Sequence, residues 1–403
     1  MTASDYRKDF PLLQNEDTIY IDNAATAQRP QAVLDAVKVF YETENANPLR
    51  GFYPLSLKAT ESCENARATV RDFIHATSKK EIIFTRNTTE GLNLVAYSYG
   101  LSHLKAGDEI AVTIMEHHSN LLPWQMAARQ TGAVLKFMEC ETDGTLTDET
   151  IQSMINEKTK LVAVAQVSNV LGCVNPIEKI VARAHEVGAV VVMAQSVPHM
   201  PVDVQKLDVD FMAFSGHKLM GPMGIGVLYG KKALLEEMPP FLTGGEMIDS
   251  VTREGAVFAE LPYKFEAGTV NAAGAAGLAA AIDYLNQVSF DFIQEQELAL
   301  TQRAMEGLAK VPYVHVMGSE DPANHTGIVS FTIEGVHPHD VSEILASDGI
   351  DVRAGHHCAQ PLLTYLGVHS STRASFMFYN TLDEVDAFVK SVASIRRRMG
   401  YGE

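Results

Sequence analysis

The amino-acid sequence predicts an α/β protein, in which a large domain built on a mostly parallel sheet is followed by a smaller α+β domain. Short β-rich runs alternate with helical patterns between about residues 80 and 230, which is typical of a parallel sheet covered by helices on both faces. The 403 residues exceed the size at which one hydrophobic core usually stops growing, so two domains are expected. Beyond residue 280, longer helices and strands such as 327–333 predict the second domain.

The elements of the large domain follow in order along the chain. Six runs predict its strands: EIIFT, EIAVTI, LVAVAQ, AVVVMA, FMAFSG and GIGVLYG. The segment from Ile177 to Gly188 exemplifies the connecting helices, because apolar residues recur at helical spacing and a glycine ends the pattern. The alanine-rich stretch from Ala272 to Ala281 predicts a tightly packed helix. Since no flexible linker separates the domains, we expect a cleft between them in which a ligand binds.

Composition and charge exclude several classes of function. The formal charge of −18 leaves no general basic field, so nucleic acid is not an expected partner and an anion site must be built locally. Cys63, Cys140, Cys173 and Cys358 show no C-x-x-C pairing or metal-ligand spacing, which argues against disulfides and metal sites and favours the cytoplasm. The amino terminus shows no leader pattern, and no apolar run is long enough for a membrane helix, so no membrane is expected as a partner.

Two segments place polar groups at the carboxyl ends of predicted strands, where open α/β sheets bind ligands. The segment from Phe84 to Gly91 opens a helix whose free amides and threonines suit an anion, although helix capping by Asn87 is the commoner use of such residues. The segment from Ser215 to Lys218 places a lysine directly after the run FMAF. A solvated loop lysine is the alternative, but the flanking glycines specify a backbone that an ordinary surface loop does not need.

Three further candidates are a histidine, a cysteine and an arginine. His117 follows a strand end and can stack on a planar cofactor or move a proton, and a structural role fits the pattern equally well. Cys358 lies close to two histidines and Arg353, which can stabilise a thiolate, whereas the alternative is a small buried hydrophobe. Arg373 interrupts a strand-like run and suits either a carboxylate clamp or a structural ion pair.

Nine motifs occur in one order between Tyr20 and Asn380: YIDNAA, NTTEGLN, MEHHSN, SNVLG, AQS, SGHKLMGPMGIG, FEAGT, RAGHHCAQPLL and RASFMFYN. In this order they resemble the class V aminotransferase family of fold-type I pyridoxal-phosphate enzymes, and within it the Suf-type and related cysteine desulfurases. The resemblance implies a seven-stranded, mostly parallel sheet in a large domain at 16–280. Residues 1–15 and 281–403 would form the small domain that carries the Cys358 loop and Arg373.

The resemblance also implies roles for single residues. Lys218 would bind pyridoxal phosphate covalently and move the Cα proton of L-cysteine, and Cys358 would take the sulfur as a persulfide while L-alanine is released. A sulfur-acceptor protein of iron–sulfur cluster assembly would be the next partner, and Thr269 would reach the phosphate of a neighbouring subunit in a homodimer. Other implied contacts are Thr88, Thr89, Ser215 and His217 to the phosphate, His117 stacked on the ring, Asn169 and Gln195 near the phenolic oxygen, and Arg373, Arg353 and Asn23 around the substrate carboxylate.

Three positions depart from the pattern of these relatives. Asn87 stands where they have glycine, which is tolerable because asparagine accepts left-handed backbone, and the segment 47–53 lacks two active-site histidines. The strand before Gln195 would end in an aspartate that holds a proton on the cofactor's ring nitrogen. Counting back from Gln195 puts Val192 at that position, and counting forward from Gly188 leaves the segment about two residues short. Loss of that charged hydrogen bond is expected to cost about 1.5–3 kcal/mol.

Three functions therefore stay open at this point. The first is an active cysteine desulfurase, which the intact RAGHHCAQP segment around Cys358 supports. The second is a selenocysteine lyase or another class V lyase, which would depend less on that cysteine. The third is a weakened pseudoenzyme that acts by binding a sulfur-transfer partner, for which Val192 is the support.

Overall fold

A seven-stranded sheet forms the centre of the computed structural model, which describes residues 2–194 and 197–401. All six predicted strands are present, and Val134–Met138 is a seventh. Among these strands only Gly226–Gly230 runs against the others, which confirms the mostly parallel sheet. In spatial order the strands are Ile82–Thr85, Gly226–Gly230, Phe211–Ser215, Val190–Ala194, Thr159–Ala165, Glu109–Thr113 and Val134–Met138.

Helices cover both faces of this sheet because its central strands are apolar on both sides. Alternate residues of Val190–Ala194 pack into two different hydrophobic cores. The helix Ile177–Glu186 confirms the predicted connector, and Gly188 after it has a φ of +74°, which favours glycine. The other helices of this region are Gln31–Thr43, Pro54–Phe73, Thr88–Leu94 with its π-helical continuation Val95–Gly100, Leu101–His103, Leu122–Thr131, Asp148–Met154, Val204–Leu207, Lys232–Glu237 and Ala272–Val288.

A four-stranded antiparallel sheet organises the carboxyl-terminal region, as the sequence predicts for an α+β unit. The boundary predicted near residue 280 lies inside the helix Ala272–Val288, so a division there stays a prediction. The sheet and its helices share a core that includes Phe331, Phe376 and Phe388. In spatial order the strands are Val314–Val316, Ile328–Ile333, Ser371–Ser375 and Arg353–Gly355, and the helices are Phe290–Leu308, Pro338–Ser347, Gln360–Tyr365 and Leu382–Arg398.

Short elements join the two sheets and the chain start. Ile19–Tyr20 pairs in parallel with Ile350–Asp351, which brings the segment after Tyr20 beside the carboxyl-terminal sheet. In the described part of the chain, no helix combines the length and apolar character needed to span a membrane. The remaining α-helices are Ala3–Arg7 and Pro11–Asn15, the hairpin pairs Ile248–Val251 with Ala256–Phe258, and the 3-10 helices are Lys79–Glu81, His118–Asn120, Gly216–Lys218, Tyr263–Phe265 and Pro322–Asn324.

Candidate active site

A cradle of hydroxyl groups and backbone amides lies at the start of the helix Thr88–Leu94. Thr88 donates its backbone N–H to Ser215 Oγ at 2.9 Å, and the two side-chain oxygens are 2.7 Å apart. Asn87 caps the helix with an extended backbone at φ −175°, so the left-handed tolerance expected for this asparagine is not what the site uses. Gly226 on the adjacent strand is required, because a Cβ there would lie 2.6 Å from Asn87 Cα.

Two further groups extend the cradle. Thr89 Oγ1 is 2.7 Å from Ser119 Oγ, a residue that sequence reasoning did not single out although it lies within MEHHSN. His217 Nδ1 is 3.3 Å from Thr26 Oγ1. Burial, together with the charge of Lys218, lowers the pKa of His217 to about 4, so this imidazole is neutral at pH 7. Hydroxyl groups gathered at the start of a helix suit the binding of a phosphate group.

Lys218 occupies the turn that follows the strand Phe211–Ser215. Burial, and then the charge of Arg373, lowers the pKa of the lysine amine from 10.5 to about 8. A larger fraction of neutral amine is therefore present near pH 7 than for an ordinary surface lysine, and the neutral amine is the nucleophile that attacks a carbonyl carbon. The structure thus argues against a solvated loop lysine.

His117 faces the same cavity as Lys218. Its Nδ1 accepts a hydrogen bond from Ser119 N at 3.1 Å, which places the proton of the neutral ring on Nε2. Burial, with the nearby Lys218 charge, lowers the pKa of His117 to about 3. The ring is therefore neutral over the physiological range and suits stacking on a planar ligand.

The residue before this histidine, Glu116, fixes the position of the segment. Its buried carboxyl group accepts hydrogen bonds from Thr113 Oγ1 and Asn120 Nδ2 at 2.6 Å each and from Ala165 N at 2.9 Å. Burial raises the pKa of Glu116 to about 7 against the lowering effect of these donors. Glu116 thus links the ends of two strands beneath the cavity. No role for Glu116 was predicted from the sequence, although it lies within the motif MEHHSN.

Two arginines lie at the side of the carboxyl-terminal sheet. Asp22 accepts from Arg353 Nη2 at 2.8 Å and from Arg373 Nη2 at 3.4 Å. Arg373 is buried and also donates from Nη1 to Asn169 O at 2.9 Å, while its Nε finds no partner among the described residues. Two cations against one carboxylate leave positive charge near the cavity, and the free Nε–H suits a carboxylate ligand.

The loop that carries Cys358 lines the cavity. Asn169 Nδ2 donates to His357 O at 2.7 Å, and no described residue pairs with Asn169 Oδ1. His357 and Cys358 have φ of 51° and 54°, left-handed values that non-glycine residues rarely adopt. Cys358 is exposed, whereas Cys63, Cys140 and Cys173 are buried and burial raises the pKa of their thiols to about 12, 11 and 12.

These groups line one cavity of about 330 Å³. The lining found in the described residues contains three cationic side chains and no aspartate or glutamate. A local anion site thus exists in a chain of charge −18, as the composition requires. The predicted residues that the cavity brings together are Thr88, Thr89, His117, Asn169, Ser215, His217, Lys218, Arg353, Cys358 and Arg373, with His357, Ser119, Asn87, Ala24 and Ala25 beside them.

Two of the predicted residues, Asn23 and Thr269, do not join this lining. Asn23 is buried and donates from Nδ2 to Ser375 O at 2.8 Å, so it supports the site from behind and borders a smaller cavity with Lys218. Thr269 is exposed and does not line the cavity of its own chain. Gln195 lies outside the described residues.

The strand Val190–Ala194 presents apolar side chains where a carboxylate was expected. Val192 pairs with Ala163 and Phe211 and is fully buried, two residues before the strand end. Ala194 is level with Ala165 and Ala213, so it, rather than Val192, stands at the end of the strand that faces the site. The register of the sheet places Val192 about 7 Å deeper than Ala194, which argues against the assignment of Val192 to the carboxylate position.

Comparison with known proteins identifies the class. The model of the family Aminotransferase class-V matches residues 19–388, and the chain belongs to this family. A protein named probable cysteine desulfurase from Halalkalibacterium halodurans is 49% identical over 407 residues, covering 100% of both chains. A cysteine desulfurase from Salmonella agona is 46% identical and covers 98% of each. The apo structure of a cysteine desulfurase from Thermococcus onnurineus matches with a TM-score of 0.95 at 43% identity over 99% of both chains.

Pyridoxal phosphate can be tested against these residues group by group. The cradle of Thr88, Thr89 and Ser215 offers donors to a phosphate, and Lys218 offers a neutral amine to an aldehyde. The buried Asn169 Oδ1, unpaired in the described part of the chain, suits a hydroxyl donor. The residues that would face the phosphate, the aldehyde and the hydroxyl group therefore fit the cofactor. At the end of the strand Val190–Ala194 the described residues offer no charged partner for a ring nitrogen.

Proposed function

We propose that this protein is a pyridoxal-phosphate-dependent cysteine desulfurase that converts L-cysteine to L-alanine and carries the sulfur as a persulfide on Cys358. Relatives that bear this activity in their names are 46–49% identical over almost the whole chain. The observation that carries the proposal is that Cys358, the exposed thiol among four cysteines, borders the same cavity as Lys218 and Arg373.

The cofactor would be held by the cradle at one end and by Lys218 at the other. Thr88, Thr89, Ser215 and His217 would bind the phosphate, and His117 would pack on the ring. When bound, pyridoxal phosphate supplies an electron sink for the electron pair left when Cα of the substrate loses its proton. The assignment of these residues rests on their shared cavity and on the donors that face it.

Substrate is oriented by charge. Arg373 would bind the carboxylate of L-cysteine through its free Nε–H, and Arg353 would add positive charge at the mouth of the cavity. Lys218, once replaced by the substrate amine, would take the Cα proton, since its pKa of about 8 lets a neutral amine form near pH 7. His117 is neutral there and excludes water from one face.

Cys358 performs the sulfur step. Its thiolate attacks the sulfur atom of the bound substrate, an S–S bond forms, and the substrate Cβ–S bond breaks. The electron pair of the broken bond stays with the three-carbon product, which takes up protons and leaves as L-alanine. Cysteine and the enzyme thiol thus become alanine and an enzyme persulfide without an external oxidant or reductant.

A homodimer, a cytoplasmic location and a sulfur-acceptor protein of iron–sulfur assembly belong to the same proposal, as does the Suf-type subclass. Thr269 is exposed, and Gly245 accepts a backbone hydrogen bond from the neighbouring Gly268. Large apolar side chains are exposed nearby: Phe52 and Tyr53 follow Arg50, which pairs with Glu246. An exposed patch of this kind supports a subunit interface at which Thr269 meets the partner's cradle.

A weakened enzyme is the second candidate, because the described residues at the end of the strand Val190–Ala194 offer no charged partner for the ring nitrogen. The test for both is alanine release from L-cysteine by the purified holoprotein, repeated with L-selenocysteine and with Cys358→Ala. Cysteine turnover that needs Cys358 supports the desulfurase. Turnover of selenocysteine that survives Cys358→Ala would instead indicate a lyase, and cofactor binding without turnover of either substrate would indicate the pseudoenzyme.

A further inference from the structure

His118, the neighbour of the stacking histidine, makes two contacts with the Cys358 loop. Its backbone N–H donates to Cys358 O at 2.6 Å. Its side-chain Nε2 accepts from Gln360 N at 3.2 Å. His118, which follows a strand of the large sheet, therefore binds the loop twice on the carboxyl-terminal side of its thiol.

We expect the Cys358 loop to open when its contacts with His118 are lost. His357 and Cys358 are both left-handed, an arrangement that must be held by surrounding contacts. Asn169 holds the carbonyl before the thiol, and Ser371 Oγ is 2.9 Å from His357 Nε2. On the carboxyl-terminal side of Cys358, the bond to the His118 imidazole fixes the first amide of the helix Gln360–Tyr365, whose N-cap Ala359 makes no side-chain cap bond.

We propose that His118 is a positioning residue for Cys358: its neutral imidazole holds the thiol loop in the arrangement seen here, and its protonation releases the loop. Acceptance at Nε2 needs a lone pair, so the proton of the neutral ring must lie on Nδ1. A protonated ring has two N–H groups and cannot accept from Gln360. The proposal rests on the proposed function only in taking Cys358 as the nucleophile.

The surroundings of His118 fix the direction of the switch. Partial burial, and then His356 on the same loop, lower the pKa of His118 from its ordinary value of 6.5. His117, on its own segment, is the other titratable group that faces it, at 6.4 Å between ring centroids. The holding bond is thus complete at pH 7 and is lost as pH falls below 6.5 through the lowered pKa.

Three other groups of the site have pKa values well away from 6.5. The pKa of His117 and that of His357 are both lowered to about 3, and that of Lys218 is about 8. Variants of His118 therefore decide whether a pH-dependent change in the loop reports this side chain. Release matters for function because the sulfur on Cys358 must leave the cavity to reach an acceptor.

Amide hydrogen exchange of the segment 358–363 in the holoprotein tests the proposal, read by mass spectrometry and corrected for the intrinsic effect of pH. The variants are His118→Leu, which removes the acceptor, and His118→Gln, which offers an amide oxygen in its place. His315→Leu, an exposed histidine on a distant strand, is the matched control. A lost hydrogen bond of ordinary net strength predicts a five- to tenfold fall in protection, on the order of its free-energy contribution.

We expect wild type to lose this protection as pH falls below 6.5, His118→Leu to lack it at pH 7, and His118→Gln to keep it at both pH values. Protection that does not change with pH in wild type, or that His118→Gln loses as fully as His118→Leu, would overturn the proposal. Exchange needs no turnover of cysteine. A protein that makes no alanine but shows the pH-dependent protection would thus disprove the desulfurase and leave the loop mechanism standing.

Discussion

The cradle around Lys218 and the loop around Cys358 line the same cavity but are built differently. In the cradle, Thr88 and Ser215 lie at the ends of buried elements and bond to one another. In the loop, Cys358 is exposed, its backbone is left-handed, and a few long-range bonds hold it. The difference matches two chemical tasks, because a cofactor must be held still while a persulfide must be carried from substrate to acceptor.

Removing the amine of Lys218 tests the cradle, the more rigidly held of the two regions. This change has the largest expected effect. Lys218→Ala should lower alanine formation by about 10³-fold or more, because covalent cofactor attachment and proton transfer are lost together. Alanine is measured after incubation with L-cysteine and pyridoxal phosphate. Lys310→Ala, at an exposed lysine, should be unaffected, and retained turnover in Lys218→Ala would refute the role of the amine.

In the proposed function, Arg373 would connect the two regions by binding the substrate carboxylate. Arg373→Lys keeps the charge but loses the planar donor pair, so kcat/KM for L-cysteine should fall about 10–100-fold, in line with loss of a charge-assisted hydrogen bond. Arg353→Lys is the matched control and should have a smaller effect, since Arg353 is half exposed and binds Asp22. Equal effects of the two variants would contradict the assignment of Arg373 as the carboxylate clamp.

The cradle side of the cavity lacks one group, because the described residues at the end of the strand Val190–Ala194 include no charged partner for the ring nitrogen. Inserting Asp-Gly between Met193 and Ala194 should raise kcat about tenfold if about 1.4 kcal/mol of transition-state stabilisation returns. Val192→Asp should not do so, because it buries an unpaired carboxylate deep in the sheet and lowers the free energy of unfolding instead. An unaltered protein as fast as the insertion variant would show that another group serves the ring nitrogen.

The pH dependence of pyridoxal-phosphate binding tests the cradle through the smallest expected effect. Lys218 reacts as the neutral amine, which predominates above its pKa of about 8 and is lost as pH falls below it. The rate at which the apoprotein binds pyridoxal phosphate should therefore rise about tenfold from pH 7 to pH 9. Absorbance of the bound cofactor in stopped flow measures it, and a midpoint near 10.5 would show that burial does not tune the amine.

Sequence motifs predicted the sheet and most of the site because strand ends and their polar followers lie close in the chain. They did not predict Asp22 joining Arg353 and Arg373, since these residues are more than 300 positions apart and meet through the packing of two sheets. They also did not show how deep in the sheet Val192 lies. Only the strand register shows that Ala194 is level with Ala165, and register depends on neighbouring strands.

The position of the sulfur after a single turnover tests the central claim most directly. Holoprotein is mixed with a limiting amount of L-cysteine, and peptides containing each cysteine are weighed by mass spectrometry while alanine is counted. We expect one added sulfur atom on Cys358 for each molecule of alanine formed, and no added sulfur in Cys358→Ala. Alanine with the sulfur on Cys63, Cys140 or Cys173, or alanine formed at the same rate by Cys358→Ala, would contradict it.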